Sequence, residues 1–541
     1  MSINYYYPLP KLTEPTEITS DVCVYGATAG GIAAAIQAVR SGKSAVLVEF
    51  SRHIGGMTTA GLGATDIGSK HVIGGLARQF YREVGAHYGM EERWHFEPHI
   101  ASRVLGEWIR NHAVPLYTEH RLAGVEKDGA RITALKTENG AVFKAAVYID
   151  ASYEGDLMAR AGVGFRVGRE GNSLYREHFN GVQYGGPHHN FRRYVDPYYK
   201  EGDRASGLLP GVSDSPPGRQ GDGDGLTQSY NFRMCLSNDP KNSVPFPKPP
   251  EYDPLRYELA RRYIRSGIFD IFNLTVPLPN RKFDHNNWGG INSDNIGGNY
   301  EWPDGDYETR ERVFQDHVNY QQGLFWFLEN DPQLPPIVRR ITASWGLAAD
   351  EFRDSGNWSP QLYIREARRM VSDYVVTEHN AFASREVEDP VGMASYTIDS
   401  HNCKRVVRAG RAVNEGNVEV TPIAPFAIPF RAIVPRRAEC TNLLVPVCIS
   451  ASHAAYGSIR MEPVFMILGQ CAGAAAALAL GDGGVVQNVS YGSLEKKLRQ
   501  EAQVIEEPRA FDELEIVGQH YLEELVPFPS SASHIVKKDA A

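Results

Sequence analysis

One stretch near the N-terminus constrains the fold more than any other part of the chain. Asp21 to Tyr25 is a short apolar-rich run that predicts a buried strand, and the glycine-rich turn GATAGG follows it. Ile32 to Arg40 is rich in alanine and predicts a helix, and Ala45 to Val48 predicts a second strand that ends on Glu49. This order predicts a βαβ unit with a dinucleotide site at the carboxyl edge of its parallel strands.

The residue types of the turn fit a pyrophosphate at the helix start, where amide groups and the helix dipole favour a phosphate. Gly26 allows a tight turn, and Gly31 allows the helix to pack closely on the strand. Thr28 stands where many such turns have glycine, and the pair Gly30-Gly31 is expected to recover part of the lost backbone freedom. Glu49 is expected to accept both ribose hydroxyls and to repel a 2′-phosphate. The alternative is an ordinary strand-turn-helix.

Length and charge limit the classes of function. A chain of 541 residues is too long for one core and predicts two or three domains. The net charge of −9, without a basic stripe, disfavours a nucleic-acid partner. No apolar run is expected to reach the roughly 20 residues of a membrane span, because the longest candidate, Ala472 to Leu480, is short. We therefore expect no membrane partner.

The N-terminus and the cysteines predict a cytoplasmic protein. The opening letters, MSINYYYPLPKLTEP, contain neither the basic nor the apolar region of a signal peptide. The six cysteines are scattered, without a CxxC pair or a Cys/His zinc spacing. This usage fits reduced thiols and predicts no metal site.

Changes of periodicity divide the rest of the chain. Residues 114 to 150 alternate polar and apolar residues between Asp-Gly and Asn-Gly turns, which predicts a β-meander. Residues 165 to 420 are rich in Tyr, Asn, Asp, Pro and Gly and predict a separate substrate domain. Helical spacing predicts helices at Gly74 to Tyr88, Ser102 to Arg110, Leu255 to Arg265, Glu308 to Leu328, Ser359 to Asn380 and Tyr491 to Val504.

The end of the chain is expected to return to the nucleotide domain. Asn442 to Val447 predicts a buried strand, and Pro463 predicts the start of a helix that runs to about Leu480. The predicted domains are 1–164 and 421–485 for the two parts of the nucleotide domain, 165–420 for the inserted domain and 486–541 for a tail with one helix.

Three features favour FAD over a nicotinamide cofactor. The doublet Gly55-Gly56 directly follows the acid-ended strand, a β-meander precedes completion of the sheet, and a late strand and helix return at 439–480. An extended flavin needs such a second contact, because a late strand end holds the ribityl chain. A helix N-terminus there can stabilise negative charge on the reduced ring.

The chain resembles the FAD-dependent oxidoreductases, whose members are often described by that name or, misleadingly, as xanthan-lyase-associated proteins. The resemblance covers most of the chain, and its most specific blocks are VYGATAGGIAAAIQA, EFSRHIGGMTTAGLGATDIG and IPFRAIVPRRAECTNLLVPVCISASHAAYGSIRMEPVFMILGQCAGAAAALA. It implies FAD, redox chemistry and an α/β fold: a Rossmann-like FAD-binding domain of the glutathione-reductase type, with a β-meander and a large inserted α+β substrate domain. It does not fix a substrate, and no residue supports the lyase name.

The resemblance also implies cofactor contacts by position. Pro446-Val447 replaces the Gly-Arg of many related flavoproteins, so the ribityl contact there is expected from backbone alone. Leu122 is expected to offer backbone groups to the adenine, and Ser152 to flank the pyrophosphate. The remaining implied contacts are Gly26, Thr28, Ala29, Gly30 and Gly31 at the pyrophosphate, Glu49 at the ribose, Arg52, Gly56 and Met57 towards the ribityl chain, and Arg460, Met461 and Val464 at the isoalloxazine.

Histidines are the candidate bases for such an enzyme. His453 lies between the late strand and the flavin-facing helix, although it could merely tie the loop together. His401 lies between Asp399 and Asn402, where an acid could orient its ring or the segment could be a capped turn. His53 precedes the glycine doublet and is a candidate for a covalent flavin link or for a phosphate-side hydrogen bond.

Other residue types are candidates for substrate binding. Arg365 and Arg431 could clamp an anionic group, although Arg365 could instead form a salt bridge on a charged helix. Tyr456 could donate to a substrate or be a core tyrosine. An aromatic and amide cluster is typical of a sugar or polyol surface, or of a loop packed by its own rings; its members are Trp288, Asn292, Asn299, Tyr300 and Trp302.

The sequence thus predicts an FAD-dependent oxidoreductase that transfers a hydride from a small polar substrate to flavin N5, with CH–OH favoured over CH–NH. The alternatives are a flavin monooxygenase that uses external NAD(P)H and a flavin-bound binding protein without turnover. The substrate, the electron acceptor, covalent attachment of the flavin and a possible homo-oligomer stay open.

Overall fold

The computed structural model describes residues 3–9, 11–12, 16–186 and 188–507. The strands of this part are β1 Glu17–Tyr25, β2 Ala45–Val48, β3 Leu116–Tyr117, β4 Leu122–Asp128, β5 Arg131–Thr137, β6 Val142–Asp150, β7 Phe165–Arg166, β8 Tyr198–Lys200, β9 Asp203–Leu208, β10 Met234–Ser237, β11 Ser243–Val244, β12 Thr275–Pro277, β13 Lys282–His285, β14 Gly346–Ala348, β15 Arg369–Met370, β16 Pro390–Ala394, β17 Ile398–Ser400, β18 Lys404–Arg408, β19 Arg411–Glu415, β20 Val418–Val420, β21 Phe426–Pro429 and β22 Leu443–Leu444. The α-helices are α1 Ala29–Arg40, α2 Gly75–His87, α3 Pro98–Asn111, α4 Asp156–Arg160, α5 Asn172–Tyr175, α6 Glu258–Arg265, α7 Tyr307–Asn330, α8 Pro336–Ala343, α9 Glu378–Ala381, α10 His453–Ile459, α11 Glu462–Ala479 and α12 Tyr491–Gln500.

The largest sheet has the order β3-β2-β1-β6-β5-β4, and β22 pairs with β6. Strands β3, β2, β1 and β6 are parallel, whereas β5 and β4 form the predicted antiparallel meander. Tyr25 lies opposite both Val48 and Asp150. The carboxyl ends of β1, β2 and β6 therefore meet at one edge, which brings the segments that follow them together.

The predicted late strand is shorter than expected. β22 ends at Leu444 because the Val445 N–H turns away to donate to Ile433 O, at 2.9 Å, and Pro446 has no N–H to donate. Its pairing with Tyr148 and Ile149 of β6 nevertheless returns the chain to the main sheet, as predicted.

Helix α11 lies directly against α1, and its composition follows from that contact. A Cβ at Gly469 or Gly473 would overlap the backbone of α1, and a Cβ at Gly30 would lie 2.7 Å from Phe465 O. Small residues on both helices thus allow the two backbones to touch. Glu462–Asp482 has a mean hydropathy of 1.9, enough for a membrane span by length and composition, but 78% of this apolar stretch is buried in the protein. The expectation that no run would be long enough was wrong.

One predicted helix is wrong. Ser359 to Asn380 is mostly extended and irregular, with β15 in its middle and only the short α9 at its end. Its charged residues have helical spacing, but Arg365, Glu366 and Arg369 are buried ion-pair partners, not an exposed helix face. The other predicted helices are present with shifted ends, and α7 is the longest of them.

The predicted division of the chain into domains stays a prediction. Residues up to Glu506 pack as one unit. Five strands of the middle region form a second sheet, in the order β11-β14-β10-β13-β12. The predicted tail is described only to residue 507, where its helix is α12, and the rest of the tail lies outside the described residues.

Candidate functional site

The turn after β1 has the geometry that its glycines predict. Gly26 has a φ of +100°, and a Cβ there would lie 2.7 Å from the backbone of Ala151. A Cβ at Gly31 would overlap Gly26 O. Thr28 caps helix α1, because its Oγ1 accepts from Gly31 N at 3.1 Å and donates to Ala151 O at 2.9 Å. The N-terminus of α1 is thereby fixed at the carboxyl edge of the sheet.

Gly30 has a packing role that was not expected, whereas the pyrophosphate contacts expected of Gly30 and Ala29 stay predictions. Neither has a positive φ, so Gly30 gives the turn no left-handed residue to compensate for Thr28. Gly30 instead carries the close contact with Phe465 of α11, and Ala29 is fully buried beside it. Helix packing thus explains the glycine at position 30, and the threonine needs no compensation because it caps the helix.

Glu49 follows β2 at the same edge and is buried. Its carboxylate accepts from Ala27 N at 2.7 Å and from both the N–H and the hydroxyl of Ser51, at 2.9 and 2.8 Å. Burial raises the pKa of Glu49, and these hydrogen bonds oppose the rise. Each carboxylate oxygen can accept a second bond, so the group ties the turn to β2 and keeps acceptor capacity for a hydroxyl.

Arg52, Gly56 and Met57 lie in the loop after β2, and each of them makes a different contact. Arg52 is exposed, pairs with Glu119 at 2.8 Å and lies 4.3 Å from the ring centre of Tyr7. Gly56, with a φ of +56°, leaves space for the Tyr153 ring. Met57 N donates to the Tyr153 hydroxyl at 2.9 Å.

His53 is bonded within this same loop. Its Nε2 lies 3.0 Å from Gly56 O and 2.8 Å from Thr59 Oγ1. Burial lowers the pKa of His53 to about 4. The ring therefore fixes the glycine loop, and a covalent flavin link stays a prediction.

The segment after β6 completes the edge. The Ser152 hydroxyl is already bonded within the protein. Its Oγ donates to Asp150 at 2.7 Å and caps the turn before α4. Glu154 is buried, and its Oε1 has no hydrogen-bond partner among the described residues. Burial raises the pKa of Glu154 to about 7. The Leu122 N–H donates to the Tyr25 hydroxyl at 3.3 Å and its C=O accepts from the Tyr307 hydroxyl at 2.8 Å, and its contact with the adenine stays a prediction.

The start of α11 carries a buried carboxylate that sequence reasoning missed. Met461 caps the helix and Val464 lies in its first turn, both buried. Glu462 accepts from the Tyr153 hydroxyl at 2.8 Å and from Thr58. Burial raises the pKa of Glu462 to about 7, and both hydrogen bonds oppose the rise. The sequence signal for Glu462 was its position next to Met461, which was predicted to face the flavin.

Glu462→Gln is expected to gain stability relative to the wild type as the pH rises. An unfolded glutamate titrates near 4.5, so between pH 4.5 and 7 the folded wild type binds more protons than the unfolded chain and loses stability with rising pH. The glutamine variant lacks this loss. Thermal unfolding of both proteins at pH 5 and 8 should show a relative gain of about 1–3 kcal/mol for the variant at pH 8. An equal difference at both pH values would contradict the assignment.

A second group of polar side chains lies close to α11, around His453 at the start of α10. His453 Nδ1 lies 2.7 Å from Glu366 Oε2, and Nε2 lies 2.9 Å from Ser400 Oγ. All three side chains are buried. Burial would raise the pKa of Glu366, but the charges of His453 and Arg369 hold it at about 2. Glu366 thus stays ionised and orients the imidazole, and Ser400 and Glu366 were both missed from the sequence.

His401 joins this group from the next residue after β17. Its Nδ1 lies 3.0 Å from Asp294 and its Nε2 lies 3.3 Å from Asp399. Arg365 pairs with Asp294 and Arg460 with Asp399, each at 2.9 Å. Burial would raise the pKa values of both aspartates, but Arg365 beside Asp294, and His401 followed by Arg460 beside Asp399, hold them well below their usual range. The structure therefore brings together His401, Arg365 and Arg460, which were predicted separately.

Comparison with protein families matches residues 21–498 to the family described as FAD dependent oxidoreductase. The chain belongs to this family. The match contains the turn at Gly26 and the polar group around His453 and His401. This FAD-dependent oxidoreductase is an enzyme, so a binding protein without turnover is excluded. A comparison with curated proteins finds no significant match.

Solved structures with local similarity are flavoenzymes of several kinds. They include an L-amino acid deaminase from Proteus vulgaris (18% identity, TM-score 0.24, 30% of this chain and 54% of that one). An L-proline dehydrogenase from P. horikoshii shares 12% identity (TM-score 0.24, 30% and 59%). The OxyS anhydrotetracycline hydroxylase from Streptomyces rimosus shares 13% (TM-score 0.24, 29% and 36%). The chain covers less than two thirds of each, and the similarity is too low to indicate a substrate.

The residues at the sheet edge fit the FAD of this family. The turn at Gly26 admits no side chain, and the N-terminus of α1 meets it, as a pyrophosphate requires. The unpartnered Glu154 Oε1 is a buried acceptor that suits a ribose or ribityl hydroxyl. Gly26, Thr28, Gly31, Glu49 and Glu154 would hold the dinucleotide.

Several predicted substrate residues lie outside this arrangement. The Tyr456 hydroxyl donates to Val447 O at 3.2 Å in the core. Tyr300 donates to Cys403 O at 2.6 Å, and Trp302 is fully buried. Trp288 stacks on His188, with ring centres 4.9 Å apart. The rings of the aromatic cluster thus pack against different partners, Trp288 against His188 and Trp302 against Tyr5, and the sugar or polyol surface stays a prediction.

Arg431→Ala is expected to leave FAD reduction within about twofold of the wild-type rate. The guanidinium pairs with Asp389 at 2.9 Å, lies 5.1 Å from the Tyr374 ring centre and is 46% exposed. Such a surface pair stabilises a protein by about 0.2–1 kcal/mol. Rapid-mixing reduction kinetics check this. A loss beyond tenfold would restore Arg431 as a substrate clamp.

One cluster has the residue types of a metal site. Ligand atoms of Glu97, His99 and Glu351 lie within 4.8 Å of one another. The Lys282 ammonium contacts both glutamates, at 2.8 and 2.6 Å. The lysine already neutralises these carboxylates, so a metal ion would have to displace it.

Proposed function

We propose that this FAD-dependent oxidoreductase dehydrogenates a small polar substrate at a carbon that carries a hydroxyl group. The observation that supports this is His453, with Glu366 at Nδ1 and the Ser400 hydroxyl at Nε2. A neutral imidazole oriented by a carboxylate is the usual base for an O–H proton. An alcohol must lose its O–H proton as well as a hydride to become a carbonyl compound. A neutral amine that loses a hydride becomes an iminium ion directly, and this step needs no base.

Ser400 is proposed to hold the substrate hydroxyl and to pass its proton to His453. The substrate O–H bond breaks, its proton goes to the Ser400 oxygen, and the serine proton goes to Nε2. Nδ1–H stays bonded to Glu366, whose charge stabilises the protonated ring. When bound, FAD supplies the acceptor for the hydride that leaves the same carbon, and the product is a carbonyl compound.

His401 is proposed to position this centre rather than to act as its base. Carboxylates lie at both of its ring nitrogens, and an ionised carboxylate only accepts hydrogen bonds. Both ring nitrogens are thus occupied by side chains of the protein, which leaves neither of them directed at a substrate hydroxyl. His401 would fix Asp399, which in turn holds Arg460 beside Met461.

We further propose a glutathione-reductase-type FAD-binding domain formed by residues 1–164 and 421–485, with a substrate domain of residues 165–420 inserted. The pairing of β22 with β6 supports the return of the chain. The proposed setting is cytoplasmic, with a small-molecule substrate, an unidentified electron acceptor and no nucleic-acid or membrane partner. A homo-oligomer stays a proposal.

Anaerobic reduction of the purified holoenzyme tests the reaction. Bound FAD absorbs near 450 nm, and loss of that band reports hydride transfer. Matched pairs that differ only in the group on the reacting carbon, such as lactate against alanine and glycerate against serine, separate CH–OH from CH–NH. The alcohols should bleach the band and the amines should not. Bleaching by amines alone, or by NAD(P)H alone, would overturn the proposal, and the second result would favour a monooxygenase.

A further inference from the structure

Three buried arginines are each only partly bonded. Arg233, Arg365 and Arg460 are exposed by 3% or less. Arg233 Nη1, Arg365 Nε and Arg460 Nε have no hydrogen-bond partner among the described residues. A buried charged donor without a partner is costly, so three of them in one region require an explanation.

Two of these side chains lie over one ring, and the charge of the third acts on the hydroxyl of that ring. The Arg365 and Arg233 guanidinium carbons lie 4.9 and 5.5 Å from the ring centre of Tyr363. Burial raises the pKa of Tyr363, and the charge of Arg460 is the strongest of the opposing influences. Tyr363 is therefore contacted by Arg233 and Arg365, and the charge of Arg460 acts on its hydroxyl.

Each arginine is paired with one aspartate, and each still has an N–H group that this pair does not use. Arg233 Nε donates to Asp284 at 2.9 Å, and Arg365 and Arg460 have the pairs with Asp294 and Asp399 described above. Burial lowers the pKa of Arg365 despite Asp294. A carboxylate would accept these free N–H groups in charge-assisted hydrogen bonds, whereas neutral hydroxyls would form weaker ones.

We infer that the substrate is an anion, a small hydroxy acid whose carboxylate binds between Arg365 and Arg460, with Arg233 on the third side. This inference rests on the proposed function, since it names the substrate class of the same site. Arg460 shares Asp399 with His401, and Ser400 lies between those two residues in the chain. The carboxylate at the arginines is proposed to bring the adjoining CH–OH carbon to the Ser400 hydroxyl. Asp399, with 15% of its side chain exposed, is the member nearest to solvent.

Binding of matched probes to the holoenzyme tests the anion. Lactate against 1,2-propanediol and glycerate against glycerol differ by the carboxylate, and inorganic phosphate tests a different oxyanion. Shifts of the oxidised flavin spectrum and of the unfolding temperature report binding without turnover. The carboxylates should bind saturably and at least tenfold more tightly than the neutral partners. Equal binding of a neutral partner, or binding of phosphate but of no carboxylate, would overturn the inference.

A matched pair of variants separates recognition from structure. Arg365→Lys keeps the charge but loses the planar fork and should weaken carboxylate binding about tenfold or more. Arg405→Lys changes another buried arginine that bonds only neutral oxygens, such as Asn414 Oδ1 at 2.8 Å, and should leave binding unchanged. Equal weakening by both variants would mean a structural role. If Arg365→Lys does not fold, the wild-type titrations alone decide.

The two proposals fail in different ways. Carboxylates that bind without bleaching the flavin would leave the anion site standing and would contradict the proposed oxidation. Neutral alcohols that bleach the flavin as well as the hydroxy acids do would support the oxidation and overturn the anion site.

Discussion

Replacing His453 by Gln is expected to slow substrate reduction of bound FAD by about two to four orders of magnitude, with little change in FAD content. The glutamine can still bond Glu366 and Ser400, but it cannot accept the hydroxyl proton. The measurement is the loss of flavin absorbance after anaerobic rapid mixing with the best hydroxy acid or alcohol of the panel. FAD content and unfolding temperature are measured on the same samples.

His317→Gln is the matched control for this change. His317 is also buried, on α7, and its Nδ1 bonds its own helix at Val313 O, 2.7 Å away. Its loss disturbs packing without removing a carboxylate-oriented ring, so the reduction rate should stay near the wild-type value. Wild-type reduction by His453→Gln would show that His453 only fixes its loop. A slow His401→Gln with a fast His453→Gln would reassign the base to His401.

The sequence predicts the nucleotide edge well because its determinants are local. The strand, turn and helix between Asp21 and Arg40 are specified by residues that contact one another, and β1 and α1 differ from expectation only at their ends. The turn residues Gly26 and Gly31 have the roles that their position predicts, since only the absence of a Cβ permits that path.

Gly30 shows where local reasoning fails. The turn explains a glycine at this position equally well, but the structure uses it to bring α11 against α1. Phe465 and Gly30 are far apart in the chain, so no short motif contains that contact. The same applies to Leu122, whose backbone groups are bonded by two tyrosines of distant segments.

The polar group around His453 was predicted in its parts and not as a whole. His453, His401, Arg365 and Arg460 were each candidates from their own neighbourhoods. Glu366 belongs to a charged run whose spacing is typical of an exposed helix. In the structure it is buried and lies 2.7 Å from His453. Ionic residues at helical spacing cannot distinguish a solvated helix from an extended segment with long-range partners. The sequence signal for Ser400 was its position next to the candidate base His401.

Gly31→Ala is expected to have the largest effect on cofactor binding. The new Cβ would overlap Gly26 O and lie 3.0 Å from the Ala151 Cβ, so α1 must move away from β1. Such overpacking costs about 1–3 kcal/mol or more. The shift displaces the helix N-terminus that faces the pyrophosphate. We expect at least tenfold weaker FAD binding, measured by flavin retention after desalting and by titration of the apoprotein.

Gly492→Ala provides the control, because the two changes add the same methyl group in different surroundings. Gly492 lies in α12, has no positive φ, and a Cβ there would meet no atom within 4 Å. Alanine favours the helix by up to about 1 kcal/mol, so this variant should unfold at an equal or higher temperature and keep its FAD. Full FAD retention by Gly31→Ala would mean that the strand and helix can separate without loss of the site. The close packing of α1 on β1 would then serve stability alone, and the pyrophosphate contact would have to come from the loop after β2.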